Sequence, residues 1–359
     1  MSWNISEAVK NIAPAVWFPA IRAGTGADVF TERLCNGLNA RGVRAKITWL
    51  PHRAEYAPWT VRAPQPPHWA NLVHVNSWLP KRFWPKRLPI VATVHHLVHD
   101  PAFRSFRSSG QTIYHELLIR RRELHGIRDA DAVTTVSDYV RRTLEAFSGR
   151  TDVEVIHNWV DVDAFCPASS VGERHHGPFR LFMAGSQSRR KGVDLLPDLA
   201  KALGSEFQIR YAGGEFRKAS RPDNVILLGR ISEGALIREY QNCDAVLSLS
   251  RYEGFGYTAL EGMACGKPFI GFRNSALTEV VEDGIHGCLS ETDDVFGVAA
   301  RCQEIANNAL MLKRMALAAR ARASEFFPKK ASIDRYELTY QGVLDTTFRR
   351  AFSDADGRE

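Results

Sequence analysis

The stretch Ser248–Phe272, SLSRYEGFGYTALEGMACGKPFIGF, decides the fold. It opens at the end of an apolar run, AVLSLS (245–250), and turns through Glu253-Gly254-Phe255-Gly256. A helical segment, TALEGMAC, follows, and Gly266 and Pro268 stop it at a second apolar run, PFIGF. Strand, glycine turn, helix and strand make the unit from which helix-covered parallel sheets are built. Glycines in such a turn let backbone N–H groups approach a ligand closely, and the helix start adds a positive dipole end suited to a diphosphate. Glu253 stands at the turn, within reach of whatever lies over it. Glu261, farther along the helix, is placed to accept paired hydroxyls such as those of a ribose. A plain strand-to-helix connection with two solvated glutamates has the same local pattern, so a lone Gly-x-Gly does not identify a site.

Outward from this stretch the alternation continues. PAVWFPA (14–20), AKITWLP (45–51), LVHVNSW (72–78), LPIVATVHH (88–96) and AVTTVS (132–137) read as strands of a first half. FRLFMAG (179–185), FQIRYAGG (207–214), NVILLG (224–229), AVLSLS and PFIGF repeat the theme in a second half. Between the halves, VDVDAFCPASSVGERHHGPF (160–179) breaks both periodicities with Pro, Ser, Gly and paired His. The predicted boundary falls there. Residues 1–165 form an N-terminal Rossmann-like domain, 166–333 a C-terminal one, and a helix over 334–359 crosses back to the first. Two doubly wound halves facing each other put their strand C-termini, where open α/β sheets bind ligands, on either side of a central cleft.

A chain of 359 residues is too long for one ordinary core, and 45% hydrophobic with 24% charged residues fits a globular protein. There is no long apolar run, and MSWNISEAVKNIAPAVW lacks a basic start, apolar core and cleavage site; a spanning or secreted protein is not expected. Six scattered cysteines without a Cys-x-x-Cys read as reduced, structural and cytoplasmic. The formal charge of +7 favours an anionic partner, whether nucleotide diphosphate, lipid surface or nucleic acid. Aromatics are not interleaved with Lys and Arg, and no nucleic-acid motif is present, which argues against the last.

At EGFGYTALEGMACGKP (253–268) the chain resembles the retaining glycosyltransferase family 4, of the group 1 type, whose Glu-x7-Glu signature it follows almost throughout. ALTEVVEDGIHGCL (276–289), FRLFMAGSQSRRKGVDLLPDLAKAL (179–203) and NVILLGRISEGALIREYQNCDAVLSLS (224–250) resemble further ordered family segments, and the likeness runs over roughly residues 14 to 345. The resemblance implies a GT-B fold, with 1–165 as the acceptor-binding domain and 166–333 as the nucleotide-sugar-binding one. It implies transfer of a sugar from a nucleotide-diphosphate sugar to a glycan or lipid-linked acceptor, with retention, in surface polysaccharide, lipopolysaccharide or other glycoconjugate synthesis. Carried onto this sequence, Lys191 binds the donor diphosphate, and Glu253 with the Gly254, Phe255 and Gly256 amides holds the transferred sugar. Glu261 takes the ribose, Tyr257 and Thr258 offer helix-start amides to the phosphates, and Arg230 and Ile231 flank the base. His95 faces Glu253 across the cleft as a second catalytic residue, and Gly24, Thr25 and Gly26 form the glycine-rich first loop. His96 and His99 carry no such implication.

Two departures stand out. Ser186 follows Gly185 where the family has Arg, leaving Arg189 or Arg190 to supply the missing cation, and Ser275-Ala276 replaces paired glycines. Asp129-Asp131 and Asp161-Asp163 look like metal-binding triplets but fall on structural aspartates of the family, so neither metal nor cofactor is expected, the nucleotide-sugar being a substrate. Cations and helix-start amides then stabilise the departing diphosphate, and the linker near 164–178 serves as hinge. A nucleotide-sugar epimerase or other GT-B enzyme is the alternative within the fold; a non-catalytic anion or nucleic-acid binder is the alternative outside it. Finally, Ile113, Leu117, Leu124 and Ile127 share one helical face ringed by Arg120, Arg121, Arg122 and Arg128, which suggests peripheral contact with an anionic membrane surface. An ordinary core-facing helix with a solvated basic rim has the same pattern.

Overall fold

The structure is a computed structural model that describes residues 12–104, 106, 109–168, 177–214 and 222–356. Residues 1–11 of the N-terminal stretch read for a leader and the middle of the linker, 169–176, lie outside the described residues. The chain divides into two compact units. One holds Met1–His99, Ser109–His157 and Lys330–Glu359; the other holds Asp100–Ser108 and Asn158–Lys329.

The first unit is built on a six-stranded sheet in the order β2-β1-β3-β4-β5-β6. Its strands are β1 (Ala15–Ile21), β2 (Arg44–Leu50), β3 (Leu72–Asn76), β4 (Ile90–Val94), β5 (Ala132–Thr135) and β6 (Val153–Val155), all paired in parallel. Every residue of β4 is buried, which is why its sequence is apolar but for Thr93, whereas the edge strand β2 alternates towards exposure. Helix α1 (Gly26–Ala40) returns from β1 to β2 and buries Phe30, Leu34 and Leu38. Helices α2 (Arg120–Asp129) and α3 (Asp138–Ser148) flank β5, and α3 is capped by the Ser137 hydroxyl, which accepts from the Val140 amide at 3.2 Å.

The C-terminal helix Lys329–Asp356 joins this core through polar as well as apolar atoms. The buried Tyr340 hydroxyl lies 2.6 Å from His74 Nδ1, His74 Nε2 lies 2.7 Å from Thr93 Oγ1, and Thr93 Oγ1 lies 2.6 Å from Thr134 Oγ1. The chain of contacts runs from the helix across β3, β4 and β5. Burial pushes the His74 imidazole down to about 3, with His95 adding in the same direction, so the ring is neutral.

One predicted face is divided. Residues His115–Ile119 form a π-helical turn between the helical segment Ser109–Tyr114 and α2. The wider turn breaks the 3.6-residue phase, so Ile119 and Ile127 enter the core while Ile113, Leu117 and Leu118 stand in solvent and Leu124 is half-buried. Ile113, Leu117, Leu124 and Ile127 therefore do not form the single face expected from the sequence.

The second unit repeats the plan with the order β12-β11-β10-β7-β8-β9. Its strands are β7 (Phe179–Gly185), β8 (Phe207–Gly213), β9 (Val225–Gly229), β10 (Ala245–Ser248), β11 (Phe269–Phe272) and β12 (Gly287–Ser290). Between them run α4 (Leu196–Leu203), α5 (Glu233–Asn242) and α6 (Tyr257–Ala264), followed by α7 (Val295–Asn307) and α8 (Ala309–Phe326). One core gathers Leu181, Tyr211, Leu247, Ile270, Leu199 and Cys302. Strand order reverses between β7 and β10, the place where such sheets open a crevice beyond the strand C-termini. The loops leaving β7 and β10 therefore meet.

Candidate active site

At that switch point the loop after β7 carries Arg189–Lys191 as a short 3₁₀ turn, capped by Ser188, whose hydroxyl accepts from the Lys191 amide at 3.3 Å. Gly192 follows with φ +66°, and a Cβ there would sit 1.9 Å from the Leu249 carbonyl oxygen, so the turn lies flush on the exit of β10. This close approach brings Lys191 to Glu253. Lys191 Nζ donates to Glu253 Oε1, and Arg190 Nη1 stands 3.8 Å from Glu253 Oε2 and donates to the Tyr252 carbonyl at 3.0 Å. Of the two arginines weighed for the missing cation, Arg190 is thus the one turned towards Glu253, while Arg189 is exposed.

The charges shape one another. Burial opposes the Glu253 charge, but Lys191 and Arg190 outweigh it and hold the carboxyl below its ordinary value. Burial likewise pushes the Lys191 ammonium down, and Arg190 adds to that, against the pull of Glu253. Two cations beside one carboxylate leave an excess positive charge over the turn, the electrostatics an anionic ligand requires.

The Glu253 backbone is fixed by the residue that departs from the family pattern. Ser275 adopts φ +28°, its hydroxyl accepts from the Glu253 amide at 2.8 Å, and it lies 2.7 Å from the Glu253 carbonyl. A serine in left-handed backbone here replaces glycine's freedom with hydrogen bonds to the site. Gly256, at φ +114°, caps α6, whose first residues are Tyr257 and Thr258. Phe255 turns its ring inward, 5.6 Å from the Phe327 ring. Glu261 is buried in α6 and accepts from the Tyr240 hydroxyl at 3.1 Å through Oε2. Tyr240 is locked edge-on against Phe182, with ring centroids 5.0 Å apart. Gly185 ends β7 beside the Lys191 side chain. Arg230 is exposed and Ile231 half-buried, both between Gly229, at φ +65°, and the Ser232 cap of α5.

The remaining predicted residues belong to the first unit. Gly24, at φ +70°, Thr25 and Gly26 precede α1, but the buried Asp28 carboxylate already accepts from the Ala23 and Gly24 amides at 2.9 and 2.8 Å and approaches Thr25 Oγ1 at 3.4 Å. The chain's own carboxylate thus occupies an anion's position at this loop. His95, just past β4, packs edge-on against Phe30 at 4.7 Å, and burial lowers it to about 4, a neutral imidazole. It borders a void of only about 10 Å³, shared with Phe18, Thr31 and His74, about the room for one water. The aspartate triplets have local partners. Asp131 accepts from the Ile90 amide at 2.8 Å, Asp129 pairs with Lys81, and Asp161 pairs with Lys329 at 2.9 Å.

Sequence reasoning passed over Arg251 and Tyr240. Only the position of Arg251 next to Tyr252-Glu253 and of Tyr240 in the apolar spacing of α5 hinted at either.

Two parallel six-stranded sheets of this order, with the charged turn at a switch point, are the architecture of the GT-B fold. The chain is similar to the solved structure of Anabaena HepE in complex with UDP and glucose, with a TM-score of 0.74, 17% identity, and coverage of 92% of this chain and 100% of that one. The family models agree: residues 49–164 match Glycosyltransferase Family 4 and residues 169–322 match Glycosyl transferases group 1. The chain belongs to this family and is a glycosyltransferase. Among curated relatives it is 30% identical over 193 residues to the uncharacterized glycosyltransferase MJ1178 of Methanocaldococcus jannaschii, covering 52% of this chain and 53% of that protein's length. It is 25% identical over 299 residues to the N-acetyl-alpha-D-glucosaminyl L-malate synthase of Bacillus anthracis, covering 77% and 74%.

Proposed function

We propose that the protein transfers a sugar from a nucleotide-diphosphate donor to a glycan or lipid-linked acceptor with retention of configuration, without a metal. The observation that carries this is the cluster of Arg190, Lys191 and Glu253 beside the glycine turn and helix start of α6. Two cations and helix-start amides supply the stabilisation that a departing diphosphate needs, in fixed positions that cost no reorganisation during bond breaking. Glu261, oriented by Tyr240, is placed to take the ribose hydroxyls. The transferred sugar lies over Glu253, and the acceptor attacks from the face the diphosphate leaves. The UDP bound in HepE makes UDP-sugars the first donors to try. The test is incubation of purified protein with UDP-, GDP-, ADP- and dTDP-sugars, with and without glycan and lipid-linked acceptors. Release of one nucleoside diphosphate that depends on acceptor, survives EDTA and yields a product with the donor's anomeric configuration is the expected result. Interconversion of sugar nucleotides without acceptor would point to an epimerase instead.

The acceptor's setting is proposed to be an anionic membrane surface, met from the cytoplasmic side by peripheral contact. The exposed Ile113, Leu117 and Leu118 lie in the segment that also exposes Arg120, Arg121 and Arg128. Arg122 donates to the Glu55 carbonyl, joining this segment to a loop that exposes Tyr56 and Trp59. Apolar side chains with aromatic and arginine neighbours suit a headgroup boundary. No helix among the described residues is long and apolar enough to cross a membrane. Co-sedimentation with phosphatidylglycerol vesicles, weakened by salt and by Leu117→Ser with Leu118→Ser, is expected. Equal pelleting with neutral vesicles would overturn the proposal.

A further inference from the structure

Arg251, one residue before Tyr252 at the exit of β10, is nearly buried, which is unusual for arginine unless its charge is matched. Its guanidinium forms two parallel bonds to Asp194, Nη1 to Oδ1 at 2.8 Å and Nη2 to Oδ2 at 2.9 Å. Nη1 also donates to the Arg189 carbonyl, and Nε donates to Asp293. The Arg251 amide donates to the Arg190 carbonyl at 2.8 Å. The Phe106 ring, in the Asp100–Ser108 segment of the same unit, lies 5.6 Å from the guanidinium carbon. Asp293, drawn in by Nε, has φ +68° and precedes Asp294, the side-chain cap of α7. One planar fork therefore grips the start of the Arg189–Lys191 turn, Asp194 just beyond its end and the entry to α7. The turn has little anchorage of its own, since it is a single 3₁₀ turn between Ser188 and Gly192.

We propose that Arg251 is a positioning residue for the Arg189–Lys191 turn, holding Arg190 and Lys191 in the arrangement that receives a diphosphate. This rests on the reading of that turn as the donor-phosphate site. Arg251 makes no contact with Glu253 in its hydrogen-bond set, and acts through the backbone that carries the two cations. Lysine keeps the charge but loses the fork, so Arg251→Lys separates geometry from electrostatics.

The test uses the full chain, with UDP as the probe for affinity and amide hydrogen exchange over residues 188–193 as a readout that needs no ligand. Arg251→Lys should speed exchange in that segment, leave the β-strands of both sheets protected, and weaken UDP binding about 5- to 30-fold, inside the span of couplings within one hydrogen-bond network. In turnover, KM for the donor should rise while kcat stays within about twofold, since the loss falls on binding common to ground and transition state. Asp194→Asn, a milder change at a half-exposed partner, should move both readouts the same way by less, which guards against misfolding of the first variant. Faster exchange with unchanged UDP affinity would overturn the functional half, leaving Arg251 a structural residue. Unchanged exchange in both variants would overturn the whole proposal. If the wild type binds none of UDP, GDP, ADP or dTDP, the donor reading itself fails, and the functional half with it.

Discussion

At the residue scale, the two glutamates of the motif differ in environment, and that difference sets what each substitution should do. Glu261 is buried and oriented by Tyr240, so the ribose contact proposed for it is the same in ground and transition state. Glu261→Gln is expected to raise donor KM by roughly 10- to 100-fold with little change in kcat, from about 1.5–3 kcal/mol of lost charged hydrogen bonding. Glu253 sits against Lys191 and Arg190, at the turn proposed to hold the sugar as charge develops. Its loss is expected to fall mainly on kcat. Steady-state kinetics with varied donor, on variants shown to be folded, check both; intact kcat in Glu253→Gln with abolished kcat in Glu261→Gln would reverse the roles. Both glutamates were legible in the sequence because their spacing around a glycine turn is unusual. The Lys191–Glu253 pair was not, since it joins residues 62 positions apart through a loop without periodicity. Nor was the use of the Gly24 amide by Asp28, because a glycine loop looks the same whether its anion is a ligand or a neighbouring side chain.

At the scale of elements, the strands announced themselves where their apolar runs are long or nearly continuous. β6, with three residues, and β12, with the sequence GCLS, were not read as strands. Such short strands offer too few side chains for either period to register, and the sheet supplies the hydrogen bonds that define them. The π-helical turn at His115–Ile119 was equally silent, because a helical wheel assumes one phase throughout. The tightest element-level constraint is Gly192, which combines left-handed backbone with contact against the Leu249 carbonyl. Gly192→Ala should cost about 1–3 kcal/mol from the backbone conformation alone, with the clash adding to it. Chemical denaturation measures this; an unchanged midpoint would mean that the turn does not rest on β10 as described. Gly149→Ala, at φ +71° and ψ 4° with nothing within 4 Å of the added carbon, is the control for the same backbone strain without a clash.

At the scale of the whole molecule, the repeated alternation pointed to two α/β units with a boundary at 165, whereas the compact units part at His157–Asn158 and again at Lys329–Lys330. That Asp100–Ser108 joins the second unit had no sequence signal, since it depends on Phe103 and Phe106 meeting the Tyr252 and Arg251 side chains. Stability should also carry a pH signature from two histidines of the first unit, the buried His74 and the half-buried His95. His74 and His95 have folded values of about 3 and about 4, below the ordinary value near 6.5. Above that ordinary value both folded and unfolded forms are neutral, and the stabilisation is fully present. As pH falls below it, the unfolded chain takes up protons that the folded chain refuses, so stability is lost, by about 1.4 kcal/mol per pH unit for each histidine. Urea unfolding at pH 7.5, 6.5 and 5.5 should show stability constant at first and then declining, with a shallower decline in His74→Gln. A flat profile down to pH 5.5 would contradict the neutral, buried assignment.

The central claim is that the turn carrying Lys191, pressed against the exit of β10, receives the diphosphate of a nucleotide-sugar donor. Calorimetric titration of UDP, GDP, ADP and dTDP into wild-type protein and Lys191→Ala tests it most directly. One of the four should bind the wild type at a single site, and Lys191→Ala should weaken that binding by about 1.5–3 kcal/mol, the range for hydrogen bonds to charged groups. Binding of equal strength to both proteins, or to neither, would contradict the claim.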